Sequence, residues 1–234
     1  INSGHVKVYQ YSENSWTQLG DDIDGDAAYD QSGYSVSLSS DGNIVAIGAI
    51  HNFGNYGLAS GHVKVYQYSG SSWLQLGADI DGENFIDKSG YSVSLSSDGT
   101  IVAIGAYKNN GNGLSDSGHV RVYQYDATKI DNITDQNNSN FGPVGWRRLG
   151  ADIDGEFAGD ESGYSVSLSS DGTIVAIGAN LNDGDSGSSS DNRGHVRVYQ
   201  YTGSSWSQLG QDIDGQVSGD YSGISVSLSS DGTI

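Results

Sequence analysis

The sequence has no cysteine, no methionine, one proline and only 10 basic residues among 234. Without cysteine there is no disulfide framework, so the redox compartment is not written in the chain. No apolar run approaches the ~20 residues that span a bilayer, and no secretory signal is present in this segment, so membrane insertion is not expected. The missing methionine, with which an open reading frame begins, leads us to expect a fragment or a processed piece of a longer polypeptide. Against the 10 basic residues stand 29 acidic ones, a net charge of -19. Binding a phosphate backbone needs clustered Lys and Arg, which removes nucleic acid from the candidate partners. An acidic surface suits solubility in salt and also suits cation binding.

What the chain has in abundance is glycine, 35 residues, and a repeated phrase. Gly-His-Val-(Lys/Arg)-Val-Tyr-Gln-Tyr begins at Gly4, Gly61, Gly118 and Gly194, positions 57, 57 and 76 residues apart. A Trp, then Leu-Gly-x-Asp-Ile-Asp-Gly, then Ser-Gly-x-Ser-Val-Ser-Leu-Ser-Ser-Asp-Gly follow each time. One array over residues 1–234 is expected, with repeats at approximately 4–60, 61–117, 118–193 and an incomplete 194–234. The third copy is longer by 19 residues, 16 of them between Tyr125 and Trp146 and three between Ala179 and Gly194. These additions fall in polar Gly, Asn, Asp and Ser stretches, where loops belong.

Within a unit the apolar pattern alternates with period two or runs on for about five residues, and it never follows a helical period. Ser-Val-Ser-Leu-Ser from Ser35 reads as a strand with Val36 and Leu38 on one face. Ser40-Asp41-Gly42 supplies a tight hairpin, Asp bonding local backbone and Gly accepting positive φ. Ile44 to Ala49 is apolar on both faces, as a strand between two neighbouring sheets should be. His62 to Tyr68 gives a third strand and Trp73 to Leu76 a short fourth. A unit that cannot bury its apolar face alone must stack on its neighbours. The expected fold is therefore an all-β propeller of four-stranded antiparallel blades. A section of a larger ring is favoured over a closed four-bladed one, because a blade joined from the two ends would lack most of its Ile-Val-Ala-Ile-Gly-Ala strand.

The segment Ser32-Gly33-Tyr34-Ser35-Val36 through Ile47-Gly48-Ala49, followed by Gly61-x-Val63-x-Val65-Tyr66, resembles the FG-GAP repeat of integrin α-subunit propellers and their bacterial relatives. The resemblance covers nearly the whole chain and implies an extracellular adhesion or ligand-binding propeller. Ser32 stands where that family has Phe, and Ile50, Tyr107 or Asn180 follows the Gly-Ala where it has Pro. The family's calcium loop joins two strands that are linked here only by Ser40-Asp41-Gly42, so that site does not carry over. The same hairpin also resembles those of WD40 and TolB-like blades.

Asp-Ile-Asp-Gly-x4-Asp recurs as Asp22/Asp24/Asp30, Asp79/Asp81/Asp87, Asp152/Asp154/Asp160 and Asp212/Asp214/Asp220. Aspartates two apart on an extended segment share a face, and a third after a Gly turn could complete an oxygen cage, which makes calcium the candidate cation. The plainer reading makes the second Asp and the Gly a turn and the third Asp a loop cap. No cofactor is required by any other feature. His5, His62, His119 and His195 share one position on an outer strand and read as hydrogen-bonded structural residues, too far apart to share one metal. Trp16, Trp73, Trp146 and Trp206 could stack on sugar rings, and packing between blades is the simpler account.

Catalysis needs an asymmetric constellation, and near-identical copies offer only rings of equivalent residues. No catalytic residue is therefore expected. Residues that break the symmetry are the insert Asp126 to Gly145, the loop Asn182 to Arg193, His51 and Lys88. The insert, which contains the sequons at Asn132 and Asn137, reads as a disordered surface loop or, more sharply, as a specificity loop. The sequence thus points to a non-catalytic binding or adhesion propeller, secreted or at the cell surface, recognising a glycan or protein ligand. A polysaccharide-active enzyme domain and an intracellular scaffold are the alternatives.

Overall fold

A computed structural model describes residues 2–54, 57–184 and 190–234. The first complete blade begins with Ser32–Leu38, innermost, which pairs with Ile44–Ala49; that strand pairs with His62–Tyr68, and Trp73–Gln75 forms the outer edge. The next two blades repeat this order from Ser92–Leu95 to Trp146–Arg148 and from Ser165–Leu168 to Trp206–Gln208. All these pairings are antiparallel. Each blade also carries a strand that the sequence pattern did not resolve. The Ile-Asp of Asp-Ile-Asp-Gly pairs with the third strand, His62 opposite Asp81 and Val63 opposite Ile80. Ahead of the first blade, the pairs His5–Val6 with Ile23–Asp24 and Tyr9–Ser12 with Ser15–Gln18 make the outer half of another.

The chain is thus an all-β stack of propeller blades, and among the described residues sheet pairing does not join the first strands to the last. Helical structure among the described residues is limited to 3-10 turns such as Gly111–Gly113, and no helix is long and apolar enough to cross a membrane.

Stacking explains why the second strand is apolar on both faces. Ile44 and Ala46 pack into a core with Leu95, Val102 and Ile104 of the following blade. Val45 and Ile47 of the same strand face Ile23 of the preceding one. All six residues of Ile44–Ala49 are buried. Gly48 marks the closest approach of two blades, since a Cβ there would lie 2.1 Å from the Gly90 carbonyl oxygen. Gly105 and Gly178 stand against Gly163 and Gly223 in the same way.

The hairpin behaves as its residues dictate. Asp41 accepts from the Ser39 hydroxyl at 2.6 Å and the Asn43 amide at 3.0 Å, and these bonds hold its carboxyl down at about 2. Gly42 takes φ 71°. The tryptophans lock the seams between blades. The indole of Trp73 donates to the Leu19 carbonyl at 2.7 Å, that of Trp146 to Leu76 at 3.0 Å and that of Trp206 to Leu149 at 2.6 Å.

Candidate functional site

At the outer end of each seam the repeat assembles a cluster whose members come from two consecutive units. His119 begins a third strand, Asp152 is the first Asp of its own unit's Asp-Ile-Asp-Gly, and Glu83 follows that motif in the preceding unit. One ligand atom from each of these three lies within 4.8 Å of the others, as is true of Asp26/His62/Asp79 and Glu156/His195/Asp212. A cation from the third strand already bridges each pair of carboxylates. Arg121 grips Asp152 with Nε at 2.9 Å and Nη2 at 2.6 Å and also pairs with Glu83. Arg197 does the same with Asp212 and Glu156, and Lys64 with Asp26 at 2.5 Å and Asp79 at 3.6 Å.

The electrostatics follow from burial and from these pairs. His119 is pushed down to about 3 by desolvation, with the Arg121 charge adding to the effect, so it is neutral at physiological pH. His62 and His195 are lowered for the same first reason. Burial works against the charge of Asp152, but Arg121 and Arg148 outweigh it and hold the carboxyl below its usual range. As ligands, the three histidines would be available in their neutral form, but the carboxylates beside them are already bridged by Lys or Arg.

The Asp-Ile-Asp-Gly-x4-Asp carboxylates are distributed differently from the cage considered for calcium. Asp22 pairs with Lys7 at 3.2 Å and accepts from Gln18 at 2.8 Å. Asp30 is buried and accepts from the Ala27 amide and the Asn52 side chain. Asp87 and Asp160 repeat this with Asn109 and Asn182. The groups of three that come within 4.8 Å do not include Asp22, Asp24 and Asp30 among the described residues. Sequence reasoning missed both sets of partners, although each left a signal. An Asn recurs three residues after every Ile-Val-Ala-Ile-Gly-Ala, and an acidic residue follows the first three Asp-Ile-Asp-Gly motifs.

One of these clusters differs from the others because the insert covers it. Residues 126–145 do not form the disordered loop that is the default reading. They fold back through an antiparallel bridge between Ile133 and Gly142, and the Lys129 ammonium lies on the carbonyls of Asp131, Gly142 and Pro143. The Phe141 ring takes Arg148 at 4.5 Å on its face and Arg121 at 5.4 Å, and Gln136 donates to Glu83. Between the insert and the Asp-Ile-Asp-Gly loop of the preceding unit lies a cavity of about 560 Å³. Asp79, Asp81, Glu83, Arg121, Gln136 and Phe141 are in its wall. In the next seam Glu156, Arg197 and Asp212 border a cleft of about 440 Å³ that has no such roof.

The remaining candidates fall elsewhere. The loop Asn182 to Arg193 ties Asn182 to Asp160 and Arg193 to Asp191, and its residues 185–189 lie outside the described ones. Three of the four tryptophans are spent on the seams. Neither His51 nor Lys88 is in the wall of the roofed cavity, although Asn52, next to His51, is.

No protein-family model matches this sequence, and no curated protein matches it. The FG-GAP resemblance therefore supports only the coarser statement, a propeller-like blade stack. Among solved structures, 129 chains are similar. One is the crystal structure named "putative 6-phosphogluconolactonase" from Bacteroides uniformis, with a TM-score of 0.51 and 12% identity. The match covers 92% of this chain and 50% of that one, so the present chain spans half its length. At this identity the likeness establishes the fold alone.

That comparison nevertheless corrects the expectation that the chain is not an enzyme. A protein named for catalysis carries this blade architecture, so the architecture is no argument against activity. The argument from symmetry fails on its own ground as well. The insert makes one of the equivalent clusters unlike the rest, which provides the asymmetry that repetition was thought to deny.

Proposed function

We propose that this chain is a ligand-binding propeller section that takes a polyhydroxylated ligand, a glycan, in the cavity roofed by residues 126–145. The observation that carries the reading is the cavity itself. Its volume is in the range of small-molecule sites, and it exists in this form only where the insert is added to the repeat. Its wall alternates acceptors (Asp79, Glu83), donors (Arg121, Gln136) and an aromatic ring (Phe141), the mixture that a sugar's hydroxyls and C–H faces engage. An extracellular or cell-surface location and a role in adhesion belong to this proposal through the FG-GAP-like motif; a protein ligand is the other occupant that motif allows.

The test is a glycan array with the intact chain and with a variant in which residues 127–144 are replaced by the short Tyr-to-Trp link of the other copies. Retained folding with lost binding is the expected result. A wild-type chain that binds no glycan, or a shortened one that binds as well, would sink the reading.

A second reading, an enzyme acting on a sugar substrate, is favoured by the name of the similar structure and by the carboxylates in the same cavity. Sugar lactones and polysaccharides incubated with the protein should then release acid or reducing ends, and Glu83→Gln should abolish the release. Absence of turnover on both substrate classes argues against it.

A further inference from the structure

The end of the blades where the inner strands begin presents a different set of groups, far from the roofed cavity in both chemistry and symmetry. Tyr34, Tyr91 and Tyr164 each immediately precede the Ser-Val-Ser-Leu of an inner strand, and Tyr107 immediately follows the second strand Ile101–Ala106. The stacking of blades brings all four together. Ring centroids are 5.0 Å apart for Tyr34 and Tyr91, 4.2 Å for Tyr91 and Tyr107, and 4.8 Å for Tyr91 and Tyr164. Burial and hydrogen bonds with Tyr164 and Tyr34 raise the Tyr91 hydroxyl well above its ordinary value.

Around these rings the repeat places two variable positions, which meet across the second seam. One precedes the Ser-Gly-(Tyr/Ile) and is Gln31, Lys88, Glu161 or Tyr221, all with left-handed backbone at φ between 51° and 59°. Four different side chains tolerate the same unfavourable backbone, so the fold and not the residue imposes it. The other position lies two residues after the second strand and is His51, Lys108 or Leu181. In the second seam the pair is Lys108 and Glu161, joined at 2.5 Å, with the ammonium also 5.3 Å from the Tyr107 centroid. In the first seam the pair is His51 and Lys88, two bases and no acid. The charge of Lys88 reaches His51 and, after desolvation, lowers its affinity for a proton.

The unusual member is Lys88. Of the ten Lys and Arg residues, eight have a carboxylate within 4.0 Å and Lys129 lies on backbone carbonyls. Lys88 alone has neither among the described residues, in a chain of net charge -19. It is also partly buried, which lowers its affinity for a proton. Leaving a half-buried ammonium unpaired beside a second base is costly, and the surrounding acidity could have supplied a partner as it does for Lys108.

We propose that the first seam is an anion site, in which an oxyanion of a hydroxylated ligand lies between Lys88 and His51 and supplies the negative charge that Glu161, which stands at the position of Lys88, supplies to Lys108 in the next seam. The tyrosines define the rest of the ligand. Their ring faces accept the C–H face of a pyranose or extended sugar acid, and their hydroxyls exchange hydrogen bonds with its hydroxyls. The ligand class is an anionic sugar, whose charge is borne by a carboxylate or a phosphate.

Calorimetric titration of the intact chain with glucuronate, glucose 6-phosphate, glucose and inorganic phosphate tests this. One or both charged sugars should bind at least about 10-fold more tightly than glucose and than phosphate, the difference expected of one charge-assisted contact. The two charged sugars distinguish carboxylate from phosphate as the source. Lys88→Gln should lower that affinity about 10-fold or more and Lys88→Arg should restore most of it, while Lys108→Gln, whose charge Glu161 already neutralises, should change it less than about 3-fold. Thermal melting checks that each variant is folded. Replacing residues 127–144 should leave this binding unchanged, which separates it from the glycan reading above. Equal binding of charged and neutral sugars, equal binding of free phosphate and the sugar phosphate, or full affinity in Lys88→Gln would each overturn the proposal.

Discussion

The roofed seam and the open seam share His, Glu, Asp and Arg in the same positions, yet they are physically different sites, and Arg148 pairs with Asp152 where the open seam has Gln208 against Asp212. Glu83 and Asp152 around Arg121 keep 20% and 17% of their side-chain surface, whereas Glu156 and Asp212 around Arg197 keep 37% and 26%. Phe141 and Gln136 of the insert lie over Arg121 and Glu83 and have no counterpart over Arg197, and Arg148 closes on Asp152 under the Phe141 ring. A loop added at one edge therefore changes electrostatics in a cluster to which it contributes no charge. The lesson extends to the tryptophans. Trp146, beside the insert and inside the array, is fully buried, while Trp16 in the first copy is 68% exposed.

The largest expected effect breaks the comparison between those two tryptophans. Trp146→Ala should cost about 3 to 5 kcal/mol of unfolding free energy in a denaturant titration, as for other buried aromatics. Trp16→Ala should stay within about 0.5 kcal/mol, because it vacates no enclosed space. Similar losses for both would mean that the seams do not depend on indole burial.

The cations come next. Arg121→Met leaves Glu83 without its cation and Asp152 with Arg148 alone, and a loss of about 3 kcal/mol is expected, in line with one-sided removal of a buried ion pair. Arg197→Met, at the more open cluster, should lose less in the same chemical denaturation. Equal losses would show that the insert does not isolate the cluster from water.

At neutral pH the smallest effect belongs to the two histidines, whose contribution shows only on acidification. The folded His119 takes up its proton only near pH 3, whereas the unfolded chain does so near 6.5, so acid favours unfolding progressively as pH falls from about 6.5 toward 3. His119→Gln should flatten stability across that window. His195→Gln should flatten it less, since fewer groups shield that cluster, and stability measured at several pH values will show whether the order holds.

Much of the blade was legible because its determinants are local. Alternation in Ser-Val-Ser-Leu, the doubly apolar Ile44–Ala49 and the Ser-Asp-Gly hairpin each act within a few residues, and each formed as its chemistry requires. The candidate site was legible only as a place where the copies disagree. The insert and the pair His51 and Lys88 stood out by breaking the repeat, but nothing in the sequence placed Phe141 on Arg121 or four tyrosines around one another. Glu83 and Arg121, or Tyr91 and Tyr164, meet only through the stacking of successive blades.

By itself, the sequence determined the blade: its strands, its hairpin and the apolar faces that oblige it to stack, since period and turn chemistry are properties of neighbouring residues. The tertiary structure decided which equivalent residues became different. Burial, charge pairing and enclosure depend on what the adjacent blade and the insert bring within a few ångströms, and a repeated phrase reads the same whether or not anything covers it.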